Sequence, residues 1–146
     1  MSVYSFTDCV LTLRHPSLGV LTLTGQGLGS IAINMRNDRT AMDTAADGRV
    51  MVSKIKDRSA TATLQLQQDS EANQTLLKWY NYLETAATIE WAQMTGTLSS
   101  PTTHEQVVMK EMAFQKLPDR NYAAQGQQNS YSFMIADCQQ PRPMLF

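Results

Sequence analysis

The sequence predicts an all-β chain with one flanking α-helix, its strands forming two packed antiparallel sheets in a sandwich or barrel. Three observations carry that prediction. About eight or nine short runs of alternating apolar and polar residues are separated by turn residues. One stretch only, about residues 70–86, repeats its apolar residues at helical spacing. A long ribbon, residues 30–53, has strand periodicity but few large apolar groups to bury.

In chain order, Val10, Leu11 and Leu13 precede His15-Pro16-Ser17, and Leu18 to Thr24 follow. Two β-rich pieces about a short proline-containing turn predict a hairpin. Gly25 to Gly29 is a glycine-rich break. In the ribbon, Ile31, Ile33 and Met35 alternate with Ala32, Asn34 and Arg36, and Asn37-Asp38 interrupts them. Thr40 to Thr44 forms a second extended piece, Asp47-Gly48 a tight turn, and Val50 and Val52 resume the pattern. Lys54 to Ser59 is charged and irregular, a solvated connection, and Ala60 to Gln67 is the clearest strand.

The helix follows, capped by Asp69 or Ser70, with Glu71 where the helix dipole favours negative charge. Its apolar face is Leu76, Trp79, Tyr80, Leu83 and Ala87, read as core packing against a sheet. Thr88 to Met94 alternates as a strand, and Thr95 to Thr103, with Gly96 and Pro101, reads as a loop. Gln106 to Gln115 is a strand with Val107, Met109, Met112 and Phe114 inward; a phase slip near Glu111 predicts a bulge. Ser130 to Ala136 is the last strand. The tail QQPRPMLF has two prolines that refuse ladder bonds, so it reads as an exposed or disordered arm. The expected organisation is one domain over residues 1–137 and a C-terminal arm over 138–146.

Composition narrows the function. Charged residues are 17% of the 146, below the usual ~25%, and the net charge is −1. Such a surface suits wide protein contacts that desolvate few ions, and no basic excess marks a nucleic-acid binder. No run approaches the ~18 apolar residues of a membrane span, and the opening MSVYSFTDC does not have the pattern of a signal peptide. Cys9 and Cys138 read as reduced thiols, their places near the two ends allowing the first and last strands to be neighbours. His15 and His104 stand apart from any metal-spaced ligands and are expected to be solvated. No nucleophile motif or phosphate-binding loop is present; the glycine-rich break leads into a strand, not a helix. Asp43 and Asp47 are expected to be solvated or paired with Arg39 and Arg49. No enzyme is predicted, and no cofactor or metal.

Four pieces, in order along nearly the whole chain, carry a resemblance. They are Tyr4-Ser5-Phe6-Thr7-Asp8; Ile33-Asn34-Met35 with Met42 and Ala46-Asp47-Gly48-Arg49-Val50-Met51; the helix positions Asn73, Leu76, Leu77 and Tyr80; and Ala113 to Asp119 followed by Tyr122 and Gly126. Together they resemble the tail tube proteins of contractile-tailed bacteriophages, relatives of the type VI secretion tube. Gln139 to Phe146 departs from that pattern. The resemblance implies two packed sheets with a flanking helix, and six-fold rings stacked into a hollow tube. The tube would be wrapped by sheath protein, filled by a tape-measure protein before double-stranded DNA passes, and bounded by tail terminator and baseplate proteins. The protein would reside in the virion tail after assembly in the host cytoplasm, with no membrane insertion of its own.

Physical reasoning supports the expectation independently. A nine-strand barrel is filled by its own side chains, so a wide bore needs strands from several subunits. An uncovered ribbon is an aggregation hazard unless a neighbouring copy covers it. A basic wall would grip DNA by counterion release, which balanced charge avoids. The expected inter-subunit surface is Arg36, Asp38, Arg39, Met42, Asp43, Asp47, Gly48, Arg49 and Met51; the expected lumen wall is Asn34, Gln65 and Gln67. Alternatives are the tube of a phage-derived bacteriocin or secretion machine, or a small ligand-binding β-barrel, which would require an apolar cavity.

Overall fold

The computed structural model describes residues 9–24, 28–100, 105–118 and 122–143, with side chains through 139. The opening Tyr4–Asp8 motif, most of the glycine-rich break, His104 and the last three residues lie outside them. The elements are β1 (Val10–His15), β2 (Gly19–Leu23), β3 (Leu28–Met35), β4 (Thr40–Thr44), β5 (Val50–Lys54), β6 (Ala60–Gln67), α1 (Glu71–Thr85), a 3-10 helix (Thr88–Ala92), β7 (Met94–Ser100), β8 (Glu105–Lys116) and β9 (Gln128–Pro143). Seven strands make one antiparallel sheet in the order β2-β1-β7-β8-β9-β6-β3, while β4 and β5 form a separate two-stranded sheet. The all-β fold with one flanking helix is as expected, the large sheet being curled and the second sheet small.

Alternation decides what the large sheet buries. Leu11, Leu13, Ala62, Leu64, Leu66, Met94, Met109, Tyr131, Phe133 and Ile135 all point to one face and are buried. The helix closes that face with Leu76, Trp79 and Leu83. Tyr80 meets Phe114 edge-on at 5.5 Å and Trp91 at 6.0 Å, and Phe114 lies 4.8 Å from Phe133. Ser70 is the cap, its hydroxyl accepting the Asn73 N–H at 3.2 Å. Ala87, expected on the apolar face, is exposed because α1 ends at Thr85.

A polar cluster pins the helix to β9. The Asn73 amide donates to Gln68 O at 3.0 Å, and its oxygen accepts from Asn129 at 3.1 Å and from the Tyr131 hydroxyl. Asn73, Asn129 and Tyr131 are all buried, so these bonds offset the desolvation of three polar side chains.

Several expectations are corrected. Thr88–Met94 is not a strand: the carbonyls of Ala87 and Glu90 accept N–H groups three residues on, giving a 3-10 turn. Its apolar alternation was misleading, since Ile89 is 74% exposed. The expected loop from Thr95 is strand β7 up to Ser100, with Met94 and Gly96 buried. Gly96 is there for room: a Cβ would stand 2.9 Å from Met112 Sδ and 3.2 Å from Leu13. The bulge near Glu111 is present; Lys110 and Glu111 of β8 stand against the single Thr95 of β7, and Glu111 has φ 56°.

β9 outruns the expected Ser130–Ala136, pairing with β8 as far as Glu105–Pro143. Its prolines fall beyond the stretch paired with β6, Gln128–Ile135, and beyond the Cys138 N–H bond to Arg58 O at 2.8 Å, and a register shift with β8 falls at Gln140-Pro141. Cys9 and Cys138 are buried, but β7 and β8 lie between the first and last strands, which are not neighbours. Burial, then the adjacent Asp137, pushes the Cys138 thiol up from its ordinary value. His15 is not solvated: it is 3% exposed, Nδ1 accepting from Ser17 N–H at 3.1 Å and Nε2 donating to Glu90 O at 2.9 Å.

Candidate assembly surfaces

The chain leaves the large sheet at the end of β3 and returns at the start of β6, and these two strands pair with each other up to Met35–Ala60. Everything between is an excursion. Arg36 N–H bonds Ser59 O at 3.1 Å, and Ile55 N–H bonds Arg39 O at 2.9 Å, so the two strands stay together as they leave. The Arg39 guanidinium donates back to Ile55 O at 3.0 Å. The result is an arm, β4 against β5, in which every residue of both strands is exposed.

The tip is set by Asp47-Gly48. Gly48 has φ 90°, a conformation costly for any side chain. Ala45 N–H bonds Arg49 O at 2.8 Å, Gly48 N–H bonds Ala45 O at 2.9 Å, and Asp47 Oδ1 accepts the Arg49 N–H at 3.0 Å. Asp47 therefore holds the turn through the Arg49 backbone and Arg39 bonds a carbonyl; of the two expectations for Asp43 and Asp47, exposure to solvent fits both.

All nine residues expected at an inter-subunit surface sit on this arm or its base, and all are exposed. Cross-strand register adds what the sequence list missed. Met42 faces Val52 and Thr44 faces Val50, so Met42, Val50 and Val52 share one side, exposed by 71%, 50% and 61%. Their alternation was the signal for that side. Met51 and Asp43 face each other on the opposite side.

Asp57 fastens the base. It accepts the Ser59 N–H at 2.9 Å and the Asn37 amide. The Ser59 backbone, the Ser59 hydroxyl and Asn37, with help from Arg36, pull its pKa from 3.8 to about 2. A carboxylate lowered on folding contributes stability that is full above its ordinary value and lost as pH falls through the folded one. The protection of the Ser59 amide, its exchange rate relative to that of an unstructured amide at the same pH, is therefore expected to hold down to about pH 4 and to fall towards pH 2; Asp57→Asn should remove that pH-dependent loss of protection.

The expected wall residues fall on the other face of the large sheet. Asn34 lies opposite Thr61, Gln65 opposite Ser30 and Ser130, and Gln67 opposite Gln128. All three are exposed, on the side away from α1, so the sheet brings them to one surface but not to the arm. Among the described residues no cluster of His, Cys, Asp or Glu has a metal-binding arrangement, and no helix is long and apolar enough to cross a membrane.

Known proteins match this architecture. A chain in the structure of the anti-feeding prophage cap superposes with a TM-score of 0.63 at 11% identity, covering 97% of this chain and 93% of that one. A chain of the PVC extracellular contractile injection system sheath–tube complex, in the extended state, gives 0.61 at 9% identity, covering 96% and 93%. One from the PVC sheath/tube terminator gives 0.58 at 11%, covering 95% and 96%. At these identities the likeness is one of fold. No curated protein sequence matches. The family model described as bacteriophage PhiTE tail tube protein matches residues 1–141. With nearly its whole length matched and its fold shared with contractile injection systems, the chain belongs to the bacteriophage PhiTE tail tube protein family, a structural component of the tail.

Proposed function

We propose that this tube subunit builds six-membered rings that stack into a hollow conduit for double-stranded DNA, and that it works by contact alone, without catalysis. The observation that carries the reading is the arm: an extended hairpin with Met42, Val50 and Val52 on one side and no residue of its strands buried. A lone subunit gains nothing by projecting such a surface; a stacked neighbour covers it. Arg36, Asp38, Arg39, Asp43, Asp47, Arg49 and Met51 complete that contact, with Gly48 setting the turn, while Asn34, Gln65 and Gln67 face the bore. Head-to-tail stacking gives an open filament, so length is set by another protein, the tape measure.

The partners follow from the relatives, whose structures are of a sheath–tube complex, a sheath/tube terminator and a prophage baseplate. Sheath, terminator and baseplate proteins would meet this subunit in the same way, with assembly in the host cytoplasm. The same relatives favour, as a second reading, the tube of a phage-derived injection machine.

Purified protein is expected to polymerise into tubes visible by negative-stain microscopy. Gly48→Val should suppress that while leaving the subunit folded. A Cβ at Gly48 meets no atom within 4 Å, so its cost is backbone strain confined to the tip. Normal tubes from this variant would exclude a stacking role for the turn; persistent monomer from the unaltered chain would exclude the tube itself.

A further inference from the structure

Away from the arm, the surface presents an isoleucine on a backbone built to hold it there. Ile89 lies in the 3-10 turn and is 74% exposed, and no residue of that turn is buried. A turn that buries nothing has little packing to fix it, yet this one is tied down from three directions. The Glu90 carbonyl accepts from His15 Nε2 of β1 at 2.9 Å. The Glu90 carboxylate accepts from the Ser17 hydroxyl, in the β1–β2 turn, and from the Tyr82 hydroxyl of α1 at 3.3 Å. An apolar side chain on so fixed a backbone has less freedom to lose when a partner covers it.

Beside Ile89 is an open cleft of about 530 Å³, lined also by Pro16, Ala92, Thr95, Lys110 and Glu111. Glu111 is, among the described residues, the one non-glycine with positive φ. That conformation is costly for a residue with a Cβ, and strain of this kind gathers at binding sites. The bulge that imposes it sets a carboxylate in the lining of the cleft.

The same chain has an apolar strip without a seat. Met42, Val50 and Val52 share one side of the arm with Thr40, Thr44 and Lys54, and Lys54 is the one charge the two strands place there. At ~3.3 Å per residue the arm reaches roughly 30 Å from Arg36 to its tip, the scale of a small domain, so it can span to another subunit. Two arms meeting face to face would make a closed two-fold pair and end growth. A strip docking on a different patch makes a head-to-tail contact that continues. Lys54 and Glu111 give such a contact opposite charges, while Lys110 has Asp137 in register beside it.

We propose that the Ile89 cleft is the seat for the arm of a second copy of this chain, whose Met42–Val50–Val52 side covers Ile89. This rests on the tube reading above and deepens it, naming the surface on the neighbour that receives the arm.

The test uses the full chain. Ile89→Cys protein is mixed, before assembly, with a tagged Val52→Cys protein, and the tubes are treated with a mild oxidant and run on a non-reducing gel. Cys9 and Cys138 are buried, so the unaltered chain is the blank. Met42→Cys and Val50→Cys replace Val52→Cys in parallel mixtures. Expected is a mixed dimer from at least one mixture, with each protein alone staying monomeric. Dimers of Ile89→Cys alone or of an arm variant alone would mean like meets like, and tubes with no mixed dimer from any mixture would leave the arm unseated; each overturns the proposal. Separately, Ile89→Asp should raise the critical concentration for tubes by roughly tenfold or more while leaving the unfolding midpoint of dilute subunit unmoved. Normal polymerisation of Ile89→Asp would assign the cleft to some other partner and overturn the proposal as well. Failure of the unaltered chain to form tubes would sink the tube reading, and this inference with it, and is seen by microscopy before any variant is made.

Discussion

Val52→Asp abolishes polymerisation at concentrations where the unaltered protein forms tubes, and leaves the subunit's unfolding midpoint almost unmoved. Val52 is 61% exposed and pairs only with Met42 across the arm. A substitution at so open a site typically changes subunit stability by within about 0.5 kcal/mol. In the proposed stack the same position would be covered. Losing a buried valine forfeits about 1.5–3 kcal/mol, before the cost of desolvating a carboxylate. The critical concentration should rise by roughly tenfold to a hundredfold or more. Sedimentation across a dilution series measures the assembly, and denaturant unfolding of dilute subunit measures the fold. A variant that polymerises normally would show that the Met42–Val50–Val52 side is not the docking side.

Asn73→Ala has the opposite signature: it destabilises the subunit itself, by about 2–4 kcal/mol. The side chain is 5% exposed and is the hub through which α1 holds β9. Truncation removes the donor to Gln68 O and the shared acceptor of Asn129 and Tyr131. Asn129 is itself buried, so its desolvation persists after its bond is lost, while the Tyr131 hydroxyl keeps the Asn73 backbone carbonyl at 3.2 Å. Tyr131→Phe should cost less, about 1–2 kcal/mol, because the Asn73–Asn129 bond survives. Urea unfolding of unassembled protein tests both; equal midpoints for Asn73→Ala and the unaltered chain would mean that the network contributes nothing.

What the sequence revealed, and what it hid, follows from how local each signal is. The arm was legible because its turn is specified by Asp47-Gly48 and its strands by simple alternation, with no tertiary partner to override either. The helix was legible from Ser70, Glu71 and a clear apolar face. β7 was hidden because Gly96 looks like a breaker in one dimension; only its neighbours Met112, Met109 and Leu13 explain it as a close approach. The 3-10 turn was mistaken for a strand because Ile89 and Trp91 alternate, although one is solvent-facing and only the other packs, against Tyr80. His15 was assigned to solvent because its acceptor, the Glu90 carbonyl, is 75 residues away. Of the surfaces, the charged residues of the arm were readable singly, but the partnership of Met42 with Val52 and Val50 needed the register. The face that carries Asn34, Gln65 and Gln67 needed it more, since strands from distant parts of the chain build it.

The arm also has a mechanical meaning. It is the prolongation of β3 and β6, so a pull on its tip along the strands runs straight into the large sheet. There β6 is held to β9 over eight residue pairs, Ala60–Ile135 to Gln67–Gln128. Such a load meets that ladder in shear, where many bonds must break at once, rather than in peeling, where they yield one after another. A column linked through these arms would resist the recoil of a discharging particle by tensile strength built into the strands themselves.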